Sequence, residues 1–161
     1  MSAAVSPHRA KVITVSDGVH HGSRVDTGGV AVAEYLVSHG FEVEATMVIP
    51  DGADAVAAAL TQMCSGFAGV VVTTGGTGFG PRDQTPEGTA VVIEREAPGL
   101  AEAMRAISPF GRLSRGRSGT VGDCIVLNLP GSPTGAVEQL GAVIDVLAHA
   151  VDLIVGRPSG H

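Results

Sequence analysis

Apolar positions recur along the chain in two alternating rhythms, one of strands and one of helices. Lys11–Val15 is a short β-branched run that stops at Ser16-Asp17-Gly18, a turn signal. The polar stretch 19–27 reads as a loop, with Thr27 as a helix N-cap. Val30, Ala33, Leu36 and Val37 then recur at helical spacing until Gly40. Phe41–Ile49 alternates into a second strand that closes at Pro50-Asp51-Gly52. Residues 54–64 carry Val56, Leu60 and Met63 on one stripe and predict a second helix. Gly69–Thr74 is continuously apolar up to its threonines, as parallel strands covered on both faces are.

A glycine-rich loop, 75–85, follows that strand. Thr85-Pro86 reads as an N-cap followed by proline at the first helical position, opening a helix to about Glu96. Pro98 opens another short helix, ended by Ser108-Pro109. Residues 112–118 are basic and polar. The stretches 117–121 and 124–129 predict a hairpin about Gly122-Asp123, closed by Pro130-Gly131-Ser132-Pro133. Val137, Leu140, Ile144, Leu147 and Val151 predict one final amphipathic helix through about Val155. Strand and helix alternate, so the expected architecture is α/β, a mostly parallel sheet with helices on both faces. No repeat, linker or low-complexity tract interrupts it, and residues 1–161 read as a single domain with a core of about 9–155 and short tails.

Composition narrows the function classes. With 161 residues, 44% of them hydrophobic and 3% aromatic, the chain builds an aliphatic core large enough to fold unaided. The net charge of −6 argues against a general nucleic-acid binder. Positive charge is local: the one lysine is Lys11, and arginines 82, 95, 105, 112, 115 and 117 are six of the nine. No apolar stretch is long enough to span a membrane, and no secretory leader is visible at the N-terminus, so a cytoplasmic protein is expected. Cys64 and Cys124 sit in no metal-type spacing and read as buried thiols.

In a parallel α/β sheet, ligands bind beyond the carboxyl ends of the strands. Four such ends here carry unusual residues: Ser16-Asp17-Gly18, Pro50-Asp51-Gly52, the segment 73–83, and the segment 128–133. Gly75, Gly76 and Gly78 allow close backbone approach and aim N–H groups at an anion, or else form a plain turn. The segment is neither a P-loop nor a dinucleotide fingerprint, because no Gly-Lys-Ser/Thr follows and Pro81 occupies the third glycine's place. Asp83 and Asp51 suit a Mg²⁺ that bridges carboxylates to phosphate. The alternatives are a helix-start charge for Asp83 and a turn residue for Asp51. Ser16 and Ser132 either bind a ligand or cap the next element. Arg112, Arg115 and Arg117 form either a solvated loop or an anion clamp. No histidine is paired with a serine or cysteine nucleophile, and His20 and His21 read as loop residues rather than metal ligands.

Thr74-Gly75-Gly76-Thr77-Gly78, then Pro81-Arg82-Asp83-x-Thr85-Pro86-Glu87, resembles the signature of the molybdopterin-binding MoaB/Mog family of molybdenum-cofactor biosynthesis. Ser16-Asp17, Ile49-Pro50-Asp51, Leu113-Ser114-Arg115 and 127–133 (LNLPGSP) match in the same order, and the resemblance covers about residues 9–155. It implies a three-layer α/β/α fold and Mg-ATP-dependent adenylylation of molybdopterin, with release of pyrophosphate. It also implies a homotrimer, with a hexamer as the alternative, and a downstream molybdenum-insertion protein as partner. A non-catalytic pterin carrier of the same family is the second reading. Asp83 and Asp51 take the catalytic and Mg²⁺-binding roles. Ser16, Asp17, Thr74, Gly75, Gly76, Thr77, Gly78, Thr85, Glu87, Arg115, Pro130, Gly131 and Ser132 take the substrate- and phosphate-binding roles.

Overall fold

A computed structural model describes residues 6–158. The tails expected at either end fall largely on residues 1–5 and 159–161, which lie outside the described residues. The six strands are β1 (His8–Val15), β2 (Phe41–Ile49), β3 (Gly69–Thr74), β4 (Arg95–Glu96), β5 (Ser118–Val121) and β6 (Cys124–Leu129). They form one sheet in the order β2-β1-β3-β6-β5-β4. The first four in that order are parallel, and β5 and β4 add antiparallel pairs at the far edge.

Strand residues alternate between two cores, as the period of two requires. Ala10 and Val12 of β1, Val70 and Val72 of β3, and Leu127 and Leu129 of β6 face one core. There they meet α2 (Thr27–Ser38), α5 (Pro98–Ala106), α6 (Pro133–Gly141) and α7 (Ile144–Ile154) through Leu36, Met104, Leu140 and Leu147. Ile13, Val15, Val71 and Val126 face the other core, against α3 (Ala53–Cys64) through Val56, Leu60 and Met63 and against Val92 of α4 (Thr85–Val92). The sheet is therefore the middle of three layers, as expected.

Several expectations need correction. Residues 19–27 do not form a simple loop. A one-turn helix, α1 (Asp17–His20), starts directly at the strand end, because Ser16 Oγ caps it by accepting from Val19 N at 3.2 Å. The N-cap of α2 is Asp26 rather than Thr27; its Oδ1 accepts from Gly29 N at 2.8 Å. Thr85 lies inside α4 and does not cap it, since its hydroxyl donates to Gly75 O at 2.9 Å. α4 ends at Val92, not near Glu96. Ile93 turns extended, and residues 95–96 pair with β5. The predicted final helix is two helices, α6 and α7. Both bury residues in the same core, so the stripe in the sequence runs unbroken across the joint at Val143. Pro109–Leu113 adds a 3-10 helix that the sequence pattern does not announce.

The two cysteines are buried and free. They are also neighbours: Cys124, at the start of β6, donates to Phe67 O at 3.2 Å and to Cys64 O at 3.8 Å. The contact with Cys124, together with burial, pushes the Cys64 thiol up.

Leu127 is fully buried in a central strand. Leu127→Ala is expected to cost about 2–5 kcal/mol through lost burial and a residual cavity. Val37→Ala, at a position 59% exposed, is expected to stay within about 0.5 kcal/mol. Urea unfolding of the two variants checks the contrast.

Candidate active site

β1 has β2 on one side and β3 on the other, so the chain leaves β1 one way and β2 the other. That reversal opens a crevice at the carboxyl ends of β1 and β3. All four unusual strand ends converge there. They line two adjoining cavities of about 690 and 460 Å³, both within the range of small-molecule sites.

The first cavity runs from the glycine loop to α6 and the 3-10 helix. Thr77, Gly78, Phe110, Leu113, Glu138 and Gln139 are among its walls. The second is more polar and runs from the glycine loop to the segment after β1, with Ser16, Arg24, Asp26 and Asp51 in its walls. Gly76, Asp83, Gly131 and Ser132 line both, and so form the ridge where the cavities meet.

The glycine loop is built with its carbonyls engaged. Thr85 Oγ1 donates to Gly75 O at 2.9 Å and Thr85 N to Gly76 O at 3.0 Å. Arg115 N donates to Thr77 O at 2.9 Å, Arg115 Nε to Gly78 O at 2.8 Å, and Arg115 Nη2 to Asp83 O at 2.7 Å. Arg115 Nη1 also pairs with Glu87. Below the loop, the buried Asn128 donates to Thr73 Oγ1 and Thr89 Oγ1, both at 3.0 Å. The amides of Gly76, Thr77 and Gly78 find no acceptor among the described residues. They are three consecutive donors left over for a ligand. Gly75 and Gly76 have φ of +107° and +68°. A Cβ on Gly75 would stand 2.2 Å from Val15 O, so only glycine fits between the ends of β1 and β3.

The carboxylates fall into two kinds. Asp17 and Asp51 lock each other: Asp17 N donates to Asp51 Oδ2 at 2.9 Å, and Asp51 N to Asp17 Oδ1 at 3.1 Å. Arg82 closes the lock, donating from Nε to Asp17 Oδ2 at 3.1 Å and from Nη2 to Asp51 O at 3.0 Å. The hydrogen-bonded Arg82 guanidinium holds the Asp17 carboxyl below the usual carboxylate range. Asp51 Oδ1 keeps no partner among the described residues. Asp83 Oδ2 accepts from Gly80 N at 2.9 Å, and its Oδ1 is likewise unpartnered. No group of three or more His, Cys, Asp or Glu side chains among the described residues is set to hold a metal. Two acceptor oxygens on neighbouring walls instead fit a hard cation that takes one or two carboxylates and completes its shell with water and phosphate.

Of the predicted site residues, Ser16, Asp51, Thr74, Gly75, Gly76, Thr77, Gly78, Asp83, Pro130, Gly131 and Ser132 line one cavity or both. Asp17, Thr85, Glu87 and Arg115 line neither. Their polar atoms hold the loop and Asp51 in place. Ser16 and Ser132 each cap a helix, and each also lines a cavity. Arg112 bonds to Pro109 O and Arg117 pairs with Glu96, and neither lines either cavity. His20 and His21 are exposed on and just after α1. Arg24, Asp26, Glu138 and Gln139 were missed. The first two lie just past the β1 end and were within reach of the strand-end rule. The last two sit on a helix, where periodicity carries no sign of a cavity.

Fold and site together define an α/β protein whose strand-end crevice offers glycine-loop amides beside free carboxylates. Comparison with known proteins gives this class a family. Residues 11–149 match the model of a probable molybdopterin binding domain. The molybdopterin adenylyltransferase of Helicobacter pylori (strain J99) is 36% identical over 156 residues, spanning 91% of this chain and 87% of that protein. That of Escherichia coli (strain K12) is 36% identical over 151 residues, spanning 89% and 77%. The structure of the molybdopterin biosynthesis enzyme MoaB from Thermus thermophilus superposes with a TM-score of 0.87 at 43% identity, covering 94% of this chain and 98% of that one. The Mycobacterium ulcerans Mog protein does so at 0.84 and 37%, covering 91% and 99%. The chain belongs to the molybdopterin-binding family of molybdenum-cofactor biosynthesis.

Arg115→Ala leaves the carbonyls of Gly78 and Asp83 unpaired and is expected to destabilise by about 1–3 kcal/mol at pH 7. Arg115 also holds the Glu87 carboxyl below its ordinary value. A depressed folded-state value stabilises only while the group is ionised. The gap between wild type and variant is therefore full above the ordinary carboxylate range and narrows as the pH falls through and below it. The difference that persists at low pH is the share of the carbonyl bonds. Denaturant midpoints measured from pH 7 down to pH 3 read both parts.

Proposed function

We propose that this protein adenylylates molybdopterin. The terminal phosphate of the pterin attacks the α-phosphorus of ATP, a new phosphoanhydride bond forms, and the bond to the β-phosphate breaks to release pyrophosphate. The observation that carries this reading is the shared ridge. Two cavities large enough for two small molecules meet at Gly76, Asp83, Gly131 and Ser132, so two ligands that fill them touch there. The first cavity suits a pterin: Phe110 and Leu113 offer apolar faces, and Glu138 and Gln139 offer polar atoms to the edge of a heterocycle. The second suits a nucleotide, with Ser16, Thr27 and Arg24 in its walls.

The chemistry asks for positioning and charge neutralisation more than for acid–base groups. The attacking phosphate is already ionised, so the step asks for no strong general base. The amides of Gly76, Thr77 and Gly78 bind phosphate oxygens at the ridge. Arg115 and Glu87 keep those amides aimed, and the Asp17–Arg82 lock fixes Asp51. Asp51 and Asp83 would hold Mg²⁺, which when bound offsets charge on the phosphates. A homotrimeric assembly, a cytoplasmic location and hand-over of the product to a molybdenum-insertion protein complete the proposal.

The test is turnover with molybdopterin, ATP and Mg²⁺, scored for adenylylated pterin and pyrophosphate. Product formation that requires Mg²⁺ is expected. Asp83→Asn keeps an acceptor for Gly80 N but loses the charge, and is expected to lower kcat by about 10²-fold or more with the fold unchanged. A protein that retains pterin and forms no product is a carrier, and the proposal of catalysis then fails.

A further inference from the structure

The second cavity is lined by three carboxylates, Asp26, Asp51 and Asp83, and by one cationic side chain, Arg24. The other arginines near the crevice are committed: Arg82 to Asp17 and Asp51 O, and Arg115 to the glycine loop and Glu87. The Arg24 guanidinium has no hydrogen bond or ion pair among the described residues. Asp26, two residues on, does not hold it. Asp26 accepts from Gly29 N through Oδ1 and from Thr14 Oγ1 through Oδ2 at 2.9 Å.

The backbone is shaped to carry Arg24 to this wall. Ser23 N and Arg24 N both donate to Gly18 O, at 2.9 and 3.1 Å, folding the segment back over α1. The Arg24 stem then lies across Gly18. A Cβ on Gly18 would stand 2.5 Å from Arg24 Cδ and 3.0 Å from its Cγ. The φ of Gly18 is not in the left-handed region, so its own backbone conformation does not demand glycine. The bare position serves the arginine that crosses it.

We propose that Arg24 binds the β- and γ-phosphates of the nucleotide and stays with the pyrophosphate as it leaves. The proposal rests on the reading of the second cavity as the nucleotide site. If the α-phosphate lies at the ridge with Gly76 and Asp83, the remaining phosphates extend along the wall that Arg24 lines. A planar guanidinium engages two phosphate oxygens at once, which an ammonium does not. It also offsets negative charge in a cavity that already holds three carboxylates. When the bond between the α-phosphorus and its bridging oxygen breaks, the electron pair stays on that oxygen. The charge that accumulates on the pyrophosphate then faces a cation.

The experiment is titration of the full chain with MgATP, with magnesium pyrophosphate and with AMP, for wild type, Arg24→Ala, Arg24→Lys and Gly18→Ala. Arg24→Ala is expected to weaken MgATP and pyrophosphate by about tenfold or more, the size of a lost charge-assisted contact, and to leave AMP within about twofold. Arg24→Lys recovers part of the loss. Gly18→Ala displaces the arginine and lowers MgATP affinity too, with no further loss when combined with Arg24→Ala. Unchanged MgATP and pyrophosphate affinity in Arg24→Ala overturns the role, as does an equal loss for AMP, which lacks those phosphates. A wild-type protein that binds none of the three overturns the reading of the cavity itself, and the proposal with it.

Discussion

A loop keeps its amides aimed in one direction when its carbonyls are tied down elsewhere. Everything in the crevice depends on how this chain meets that condition. Arg115 reaches the glycine loop from the segment just before β5 and takes two of its carbonyls with its side chain and a third with its backbone. Thr85 takes two more from inside α4. With five oxygens turned away, the amides of Gly76, Thr77 and Gly78 are left facing no partner. The loop's unpartnered amides are thus held in place by Arg115 and Thr85, whose own bonds are to the protein.

The same division of labour governs the acids. Asp17 and Asp51 end adjacent strands, and each carboxylate accepts the other's amide. This cross-lock sets the spacing of the β1 and β2 ends and leaves one Asp51 oxygen for the cavity. Arg82, exposed and one residue from Asp83, ties the glycine loop to that lock. Asp51 and Asp83 therefore share a support. A change that frees Arg82 loosens the anchor of both.

How much of this was legible follows from what kind of pattern each feature leaves. The parallel strands β1, β2 and β3 announce themselves because β-branched runs stop at Ser-Asp-Gly, Pro-Asp-Gly and Gly-Gly. β4 leaves no pattern, since two residues paired to an edge carry no period. The joint between α6 and α7 is hidden because Leu140 and Leu147 enter the same core. At the site, the residue types showed which positions gather at one edge, and they do. They did not show which way each faces. Asp17, Glu87 and Arg115 carry charge and lie in the signature, yet they bond to the protein. Arg24 lies in a stretch that reads as plain loop, yet its charge is uncommitted.

The walls of the crevice fall within residues 14–28, 51, 74–83, 108–114 and 130–139, segments that span most of the chain. No single segment of it supplies the whole wall. A ligand held there recognises only the completed sheet and has nothing to bind in a partly folded chain. Its binding energy is then added to the stability of the whole molecule, by an amount set by its concentration relative to its dissociation constant. Occupancy of the crevice and survival of the fold are linked through one equilibrium, so the resistance of this protein to heat or to proteolysis rises and falls with the supply of whatever fills it.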